Sequence, residues 1–309
     1  MTDAKDVSEQ DSGKSRVTGV LRRPAFGAWM MLPALLLLAS LSLFPFFFII
    51  WMSFNEVSPI GGLSFDFAGL ANWTELFADP DIRSSWVTSL IYFASALGLE
   101  VVLGVAIALL VHELVWGKNL IISLLIMPVF MAPVIVGLVS RFLVNSTFGL
   151  YDWVLDVTGI FSGNILGSGT AALIAVILMD VWEWTPLITL IVLAGLASLP
   201  HDVIEAARVD GANYWQRLRY VVAPMISGVV VVALLIRSMD LIRYFDTIMI
   251  TTNGGPADAT KIVAIRLYEE AFRFFELGYA AAIGLTMLVF SIIIAMSFLQ
   301  ILRRRGLVQ

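Results

Sequence analysis

The sequence has no cysteine, only two histidines and few charged residues, since Asp, Glu, Lys and Arg together make up 14% of its 309 residues. Without cysteine, the chain forms no disulfide bond and no thiolate metal or redox centre. His112 and His201 have no second ligand at metal-binding spacing, so we expect no metal site. Soluble domains usually have about a quarter of their residues charged. The shortage of charge therefore argues against a water-soluble protein.

Apolar residues are correspondingly abundant, and they come in long runs. They make up 59% of the chain, and no charged residue occurs between Arg23 and Glu56. An α-helix needs about 20 apolar residues to cross a hydrocarbon layer of ~30 Å, and it satisfies its own backbone hydrogen bonds there. The sequence therefore predicts an all-α membrane protein. Six spans are predicted, at residues 29–54, 86–111, 120–144, 170–199, 222–251 and 277–302.

The distribution of positive charge predicts how the spans are oriented. Residues 1–28 form a predicted polar tail, residues 29–302 the membrane domain and residues 303–309 a basic tail. Of the nineteen Lys and Arg, twelve lie in the tails or in loops on the same side, and four lie in loops on the other side. Cytoplasmic loops are rich in Lys and Arg, so both termini are predicted to be cytoplasmic. A signal peptide is disfavoured, because the first apolar run is too long and no Ala-x-Ala site follows it.

The loop at residues 200–221, between the fourth and fifth predicted spans, contains the most specific pattern. Asp202 and Glu205 have the spacing of a capping box, which predicts a helix at the start of the loop. Gly211 can adopt a positive φ and is predicted to end that helix. A second short helix is predicted to lead to Pro224. The loop is therefore predicted to form a cytoplasmic helix-turn-helix.

This loop resembles that of the permeases of ATP-binding-cassette (ABC) importers, in which Glu-Ala-Ala is followed by three residues and Gly. The matching residues are Glu205, Ala206, Ala207, Gly211, Val221 and Pro224. Val221 stands where isoleucine is usual, and Ala223 stands where leucine is usual. Other segments resemble the carbohydrate branch of the family, the maltose and glycerol-3-phosphate type: Trp182, Thr185-Pro186, residues 193–196 and residues 253–256.

The resemblance implies a type I importer permease in a bacterial inner membrane, with a sugar or sugar-like solute such as an oligosaccharide, polyol or glycerol derivative. It implies a second permease subunit, an extracytoplasmic solute-binding protein and a separate ATPase dimer that holds ATP and Mg²⁺. On this chain it implies no cofactor, no catalytic residue and no nucleic-acid contact. The residues implied to couple the loop to the ATPase are Glu205, Ala206, Ala207, Arg208, Asp210 and Gly211.

Charged residues within the predicted spans are the second informative feature, because lipid contact would cost each about 2.5–3.5 kcal/mol. In the fifth predicted span they recur every three residues, so neighbouring members are predicted to share a helix face and to alternate in sign. The eight residues are Glu100, Arg141, Asp180, Glu183, Arg237, Asp240, Arg243 and Asp246. Nearly all of them are predicted to lie between the middle of the bilayer and its outer surface, which suggests a single polar layer.

Two interpretations of this layer remain open. In the first, the charges form ion pairs that fix helix packing, such as Arg237 with Asp240 or Arg243 with Asp180, and Glu100 and Arg141 are structural. In the second, polar groups bind solute hydroxyls while aromatic faces cover the apolar side of a sugar ring. The residues assigned to that solute path are Arg237, Asp240, Arg243, Tyr244, Phe245, Asp246, Asp180, Trp182, Glu183 and Trp184.

A self-sufficient secondary transporter, driven by protons or ions, is the alternative function. Its intramembrane carboxylates would then act as proton relays. The chain has no evident inverted repeat, and such a transporter would have no use for the loop at residues 200–221. The sequence therefore favours the importer permease.

Overall fold

The computed structural model describes residues 24–59 and 62–304, so most of the polar tail and residues 305–309 of the basic tail lie outside the described residues. The described chain divides into two compact units, the first ending at Phe48 and the second beginning at Ile49. The elements are α1 (Pro24–Met52), β1 (Asn55–Ser58), β2 (Ser64–Phe67), α2 (Ala71–Ala78), α3 (Pro80–Glu113), α4 (Lys118–Ile126), α5 (Pro133–Leu143), α6 (Leu150–Val157), α7 (Gly169–Ala197), α8 (His201–Val209), α9 (Tyr214–Arg217), α10 (Ala223–Ile242), α11 (Asp246–Thr251), α12 (Val263–Glu269) and α13 (Leu277–Arg304).

Five helices in the described part of the chain are long and apolar enough to cross a membrane, and a bent helix pair brings the number to six if it counts as one span. Four of the five are residues 29–52 of α1, and α3, α7 and α13. The fifth runs from Tyr214 to Ile242, because α9 continues through a π-helical turn into α10. The upper number equals the six spans that the sequence predicts.

The third predicted span, residues 120–144, is not a straight helix. Residues Lys118–Phe130 and Pro133–Leu143 meet at an angle of 96°. Ala132, which precedes Pro133, has an extended backbone, with φ −69° and ψ 135°. The proline ring disfavours a helical conformation in the residue before it, and this ends one helix segment before the next begins.

The fifth predicted span, residues 222–251, also differs from the structure, because α10 ends at Ile242 and α11 begins at Asp246. The amide groups of Arg243 and Tyr244 each bond to the carbonyl three residues earlier, which tightens the last turn. Tyr244 then lies inside the bundle, with 7% of its surface exposed. The prediction of one continuous span from residue 222 to 251 is therefore wrong, and of the predicted neighbouring pairs only Arg237–Asp240 lies wholly within α10.

Helices α3 and α7 pack closely, and α10 lies against both. Gly104 on α3 allows this approach, because a Cβ there would lie 2.8 Å from Cγ2 of Ile188 on α7. Apolar side chains fill the space between the three helices toward the end that carries α8. The buried residues of this cluster include Ala108, Val111, Ile188, Val192, Leu196, Ile226 and Ala233.

The opposite end of the second unit is built around α13 and the β1–β2 hairpin. The hairpin is antiparallel, with Asn55 opposite Phe67. The Asn72 side chain on α2 donates to the carbonyl oxygens of Ser53 and Asn55, both at 3.0 Å. The Tyr279 hydroxyl on α13 donates to Asp79 at 2.9 Å. These bonds join the hairpin and α2 to the start of the last long helix.

Candidate functional site

Three ionisable side chains from three helices meet inside the bundle. Nε and Nη2 of Arg237 on α10 donate to both carboxylate oxygens of Glu100 on α3, at 2.8 and 2.9 Å. Nη2 also donates to Oδ1 of Asp180 on α7, at 2.6 Å. All three side chains are fully enclosed. We call Glu100, Asp180 and Arg237 the buried triad; its pairings differ from the predicted Arg237–Asp240 and Arg243–Asp180 pairs.

Aromatic rings surround the Arg237 guanidinium. Its central carbon lies 5.0 Å from the Trp184 ring centroid and 5.8 Å from that of Tyr244. Tyr244 stacks on Tyr92 with centroids 5.9 Å apart. A cation over an aromatic face gains about 0.5–2 kcal/mol, with the higher value in desolvated sites. Tyr92 was not among the predicted site residues, because a lone tyrosine in an apolar helix gives no signal of such a role.

Tyr244 also links α7, α10 and α11. Its hydroxyl lies 3.1 Å from Oε2 of the buried Glu183 and 2.7 Å from Oγ1 of Thr247. Thr247 in turn donates to the carbonyl of Pro133, at the start of α5. The bend in the third span and the break after α10 are therefore joined by one chain of hydrogen bonds.

The remaining residues of the predicted solute path are accessible. Trp182 is 52% exposed on α7. The side chains of Arg243 and Asp240 are 71% and 41% exposed, with a separation of 3.4 Å. Asp246 is exposed, and half-buried Phe245 lies 5.2 Å from Tyr268, centroid to centroid. The structure thus divides the predicted path into an accessible set, Trp182, Asp240, Arg243, Phe245 and Asp246, and an enclosed set, Asp180, Glu183, Arg237 and Tyr244. Half-buried Trp184 lies beside the enclosed set, against Arg237.

Arg141 is separate from both sets. It lies in the last turn of α5, where its side chain is exposed and its Nη1 donates to the carbonyl of Ile250 at 3.3 Å. This contact joins α5 to α11.

The helix-turn-helix at residues 200–221 is present as α8 and α9, and Gly211 between them has φ +81°. The predicted capping box of Asp202 and Glu205 does not form, because the residue that caps α8 is Pro200, which has no side-chain hydrogen bond. The capping box is instead at the start of α9. There the side chains of Asn213 and Gln216 each accept from the other's backbone amide, at 2.9 and 2.8 Å. The pattern Asn-x-x-Gln at residues 213–216 could have predicted this capping box from the sequence.

Most of the predicted coupling residues point outward. Glu205, Ala206, Arg208, Asp210 and Gly211 are exposed, and Ala207 is half-buried. The backbone amide of Ala212 donates to the carbonyl of Ala207, and Arg217 donates to the carbonyl of Ala212, both at 3.0 Å. These two hydrogen bonds hold the turn between α8 and α9, and Glu205 lies on its exposed surface.

A single helix joins this turn to the buried triad. It runs without interruption from Tyr214 to Ile242. From Tyr214 to Arg237 the distance along the helix is about 35 Å, at about 1.5 Å per residue. One helix therefore spans the distance between the turn and the buried triad.

The family model for inner membrane components of binding-protein-dependent transport systems matches residues 14–306. The chain belongs to this family. It is a multi-pass membrane permease of a transport system, which favours the importer interpretation over a self-sufficient secondary transporter.

Three relatives cover most of this permease. It is 29% identical over 276 residues to the trehalose/maltose transport system permease protein MalF of Thermococcus litoralis, covering 89% of this chain and 92% of the relative. It is 32% identical to the trehalose transport system permease protein SugA of Mycobacterium tuberculosis, covering 90% and 87%. It is 32% identical to the sn-glycerol-3-phosphate transport system permease protein UgpA of Yersinia pestis, covering 87% and 95%.

Solved structures show the same fold. The permease matches a chain in the crystal structure of a bacterial ABC transporter involved in the import of the acidic polysaccharide alginate, with a TM-score of 0.80 and 20% identity over 91% of this chain and 96% of that one. A second structure, of the alginate transporter with its pentasaccharide-bound periplasmic protein, gives a TM-score of 0.78 at 19% identity, covering 94% and 98%. The fold is therefore that of an ABC importer permease, as predicted.

Proposed function

We propose that this permease moves a sugar or sugar-like solute across the inner membrane as one of two permease subunits of an ABC importer. The names of its relatives support this class of solute, since they refer to trehalose, maltose and sn-glycerol-3-phosphate. An extracytoplasmic binding protein delivers the solute. ATP hydrolysis on a separate subunit pair, which holds ATP and Mg²⁺, drives the transport.

The continuous helix from Tyr214 to Ile242 is the observation that best supports a coupling role for the α8–α9 turn. The ATPase binds the exposed residues of α8, and Glu205 pairs with a basic residue of that partner. When the ATPase closes, the turn moves, and the helix carries this movement to the buried triad. The bundle then changes the side on which its solute path is open.

We assign the solute path to the accessible set, Trp182, Asp240, Arg243, Phe245 and Asp246. These side chains combine an aromatic face with carboxylates and a guanidinium, which suits the apolar ring face and the hydroxyls of a sugar. The buried triad lies behind them and holds α3, α7 and α10 together. The accessible set thus binds solute, whereas the buried triad forms ion pairs that fix helix packing.

The orientation follows from the same proposal. The α8–α9 turn and both termini lie in the cytoplasm, which agrees with the concentration of Lys and Arg on that side. Helix α12 and the β1–β2 hairpin then lie on the outer side, where the binding protein delivers the solute.

Charge reversal at Glu205 tests this function in the reconstituted transporter. We expect Glu205→Lys to lower solute uptake by about tenfold, equivalent to about 1.4 kcal/mol, because the lysine repels the basic partner. ATP hydrolysis should no longer respond to the solute-loaded binding protein. Asp156→Lys, at an exposed residue of α6, makes the same charge change and should retain uptake. Unchanged uptake by Glu205→Lys, at equal amounts in the membrane, would exclude the coupling role.

A further inference from the structure

A cavity of about 470 Å³ lies behind the α8–α9 turn, between the ends of α3, α7, α8 and α9. Its volume falls within the roughly 300–1,000 Å³ of small-molecule sites. Much of its wall is apolar and comes from α3, α7 and the residues after it, α8 and the π-helical turn after α9: Leu109, Leu196, Leu199, Ile204, Leu218 and Val222. It lies well away from the buried triad and is no part of the assigned solute path.

Basic side chains outnumber acidic ones in the wall of this cavity. The wall contains one acidic residue, Glu113, and four basic residues: His112, His201, Arg208 and Arg217. Among residues 24–59 and 62–304, neither arginine forms an ion pair, and Arg217 uses one N–H for the carbonyl of Ala212. The cavity therefore has donors available for an anion.

His112 also lines the cavity, at the end of α3. Its Nδ1 atom is enclosed and has no hydrogen-bond partner within the described chain. Because this atom is closed to solvent, it does not contact a molecule in the cavity, and the guanidinium groups of the wall supply the donors for an anion.

We propose that this cavity binds the phosphate group of an anionic phospholipid from the cytoplasmic leaflet. The cavity lies where α3 ends at Glu113 and α7 ends at Ala197, which is the level of the headgroups in the proposed orientation. Basic pockets between membrane helices on this side are suited to anionic headgroups. Arg217 binds the phosphate, and the leucine-rich wall contacts the glycerol and the upper acyl chain.

The position of the lipid gives it a role in coupling. Ile204 and Arg208 on α8 lie in the same wall as Leu109 on α3 and Leu196 on α7. A bound lipid therefore contacts both the turn and the membrane helices behind it. This inference depends on the proposed cytoplasmic location of the turn, but not on the identity of the solute.

Photo-crosslinking in vesicles tests the proposal on the assembled transporter, without ATP or solute. Vesicles contain a photoactivatable phosphatidylglycerol or the matching phosphatidylcholine, and the labelled residues are mapped by mass spectrometry. We expect the anionic lipid to label residues 109–115 and 196–208, and Arg217→Gln to reduce this labelling about fivefold, since one basic residue contributes about 1 kcal/mol to binding of anionic lipid. Arg217→Lys keeps the charge and should keep most of the labelling.

Arg219→Gln is the matched control. Arg219 is exposed two residues further along, its guanidinium lies 5.8 Å from the centroid of the Tyr220 ring, and it does not line the cavity. Equal labelling by both lipids, or equal effects of Arg217→Gln and Arg219→Gln, would overturn the proposal. Displacement of the label by millimolar inorganic phosphate would assign the cavity to a free anion and would also overturn it. Solute uptake by the parent transporter is measured separately, and uptake with no lipid labelling would be a failure of this inference but not of the proposed function.

Discussion

Arg237 on α10 donates hydrogen bonds to both carboxylate oxygens of Glu100 on α3, although the two residues are 137 positions apart in the sequence. Such a bidentate pair fixes the relative orientation of both side chains. Because the same guanidinium also binds Asp180 on α7, one residue connects three membrane helices. The triad is therefore a structural centre of the bundle, and solute does not reach it in this conformation.

Loss of the guanidinium should destabilise the protein strongly. We expect Arg237→Met to lower the free energy of unfolding by about 3–5 kcal/mol, because it leaves two buried carboxylates without a partner. The measurement is thermal unfolding of the purified transporter in detergent. Arg243→Met, at an exposed residue with a weaker ion pair, should change it by less than about 1 kcal/mol. Similar shifts for the two variants would refute the central role of the triad.

The contact between α3 and α7 can be tested at two glycines of the same helix. A Cβ at Gly104 would lie within 3 Å of the Ile188 side chain, whereas a Cβ at Gly98 meets nothing within 4 Å. We expect Gly104→Ala to destabilise the protein by about 1–3 kcal/mol through overpacking. Gly98→Ala should be neutral or slightly stabilising, since alanine favours a helix. Equal stability of the two variants would show that the helices are not this close.

Stability should also depend on pH through Glu270, in the π-helical turn after α12. Burial, with the Glu276 carboxylate as the next cause, raises the pKa of the Glu270 carboxyl to about 7. Between an unfolded pKa near 4.5 and the folded pKa near 7, the folded state binds more protons than the unfolded state. We therefore expect the contribution of Glu270 to stability to fall as the pH rises through this window.

Unfolding midpoints at several pH values measure this effect. Glu270→Gln should remove the part of the pH dependence between about pH 5 and 7. Glu75→Gln, at an exposed residue of α2, should leave the pH dependence as it is in the parent protein. An unchanged profile in Glu270→Gln would contradict the assignment.

The sequence predicted the helical fold and the number of spans, and it contained the reason for one of the two errors. Pro128 and Pro133 mark the bend in the third span, because proline disfavours a helical conformation in the residue before it. The break after Ile242 has no such marker, since residues 243–245 contain neither proline nor glycine. Within this break, Tyr244 contacts Glu183, a residue 61 positions away that its neighbours in the sequence do not indicate.

The sequence also could not predict which intramembrane charges pair with one another. Arg237, Glu100 and Asp180 were each expected to avoid lipid, and they do. Which carboxylate meets which guanidinium depends on how each helix is rotated about its axis, and that rotation is set by packing between helices, such as that of Gly104 against Ile188. The spacing within one helix favoured an ion pair between Arg237 and Asp240, but in the structure Arg237 pairs with residues on two other helices.

Solute binding should depend on the accessible aromatic side chain of α7. We expect Trp182→Ala to raise the apparent KM for uptake by about tenfold, because a ring contact of about 1.4 kcal/mol is lost. Trp153→Ala, at an exposed residue of α6, should leave uptake as it is. ATP-driven uptake of labelled sugar into vesicles, with the binding protein and the ATPase present, is the measurement. If the two variants transport alike, Trp182 is not part of the solute path.

The chain has no cysteine, so a single introduced thiol is a unique probe of the α8–α9 turn. The most direct measurement is crosslinking of Glu205→Cys with a short thiol-reactive reagent in the assembled transporter, with Asp156→Cys as control. We expect Glu205→Cys to form a crosslink to the ATP-hydrolysing subunit that changes in yield when ATP is bound, and Asp156→Cys to form none. Absence of any crosslink from Glu205→Cys to that subunit, or labelling of this thiol from outside the cell, would contradict the account.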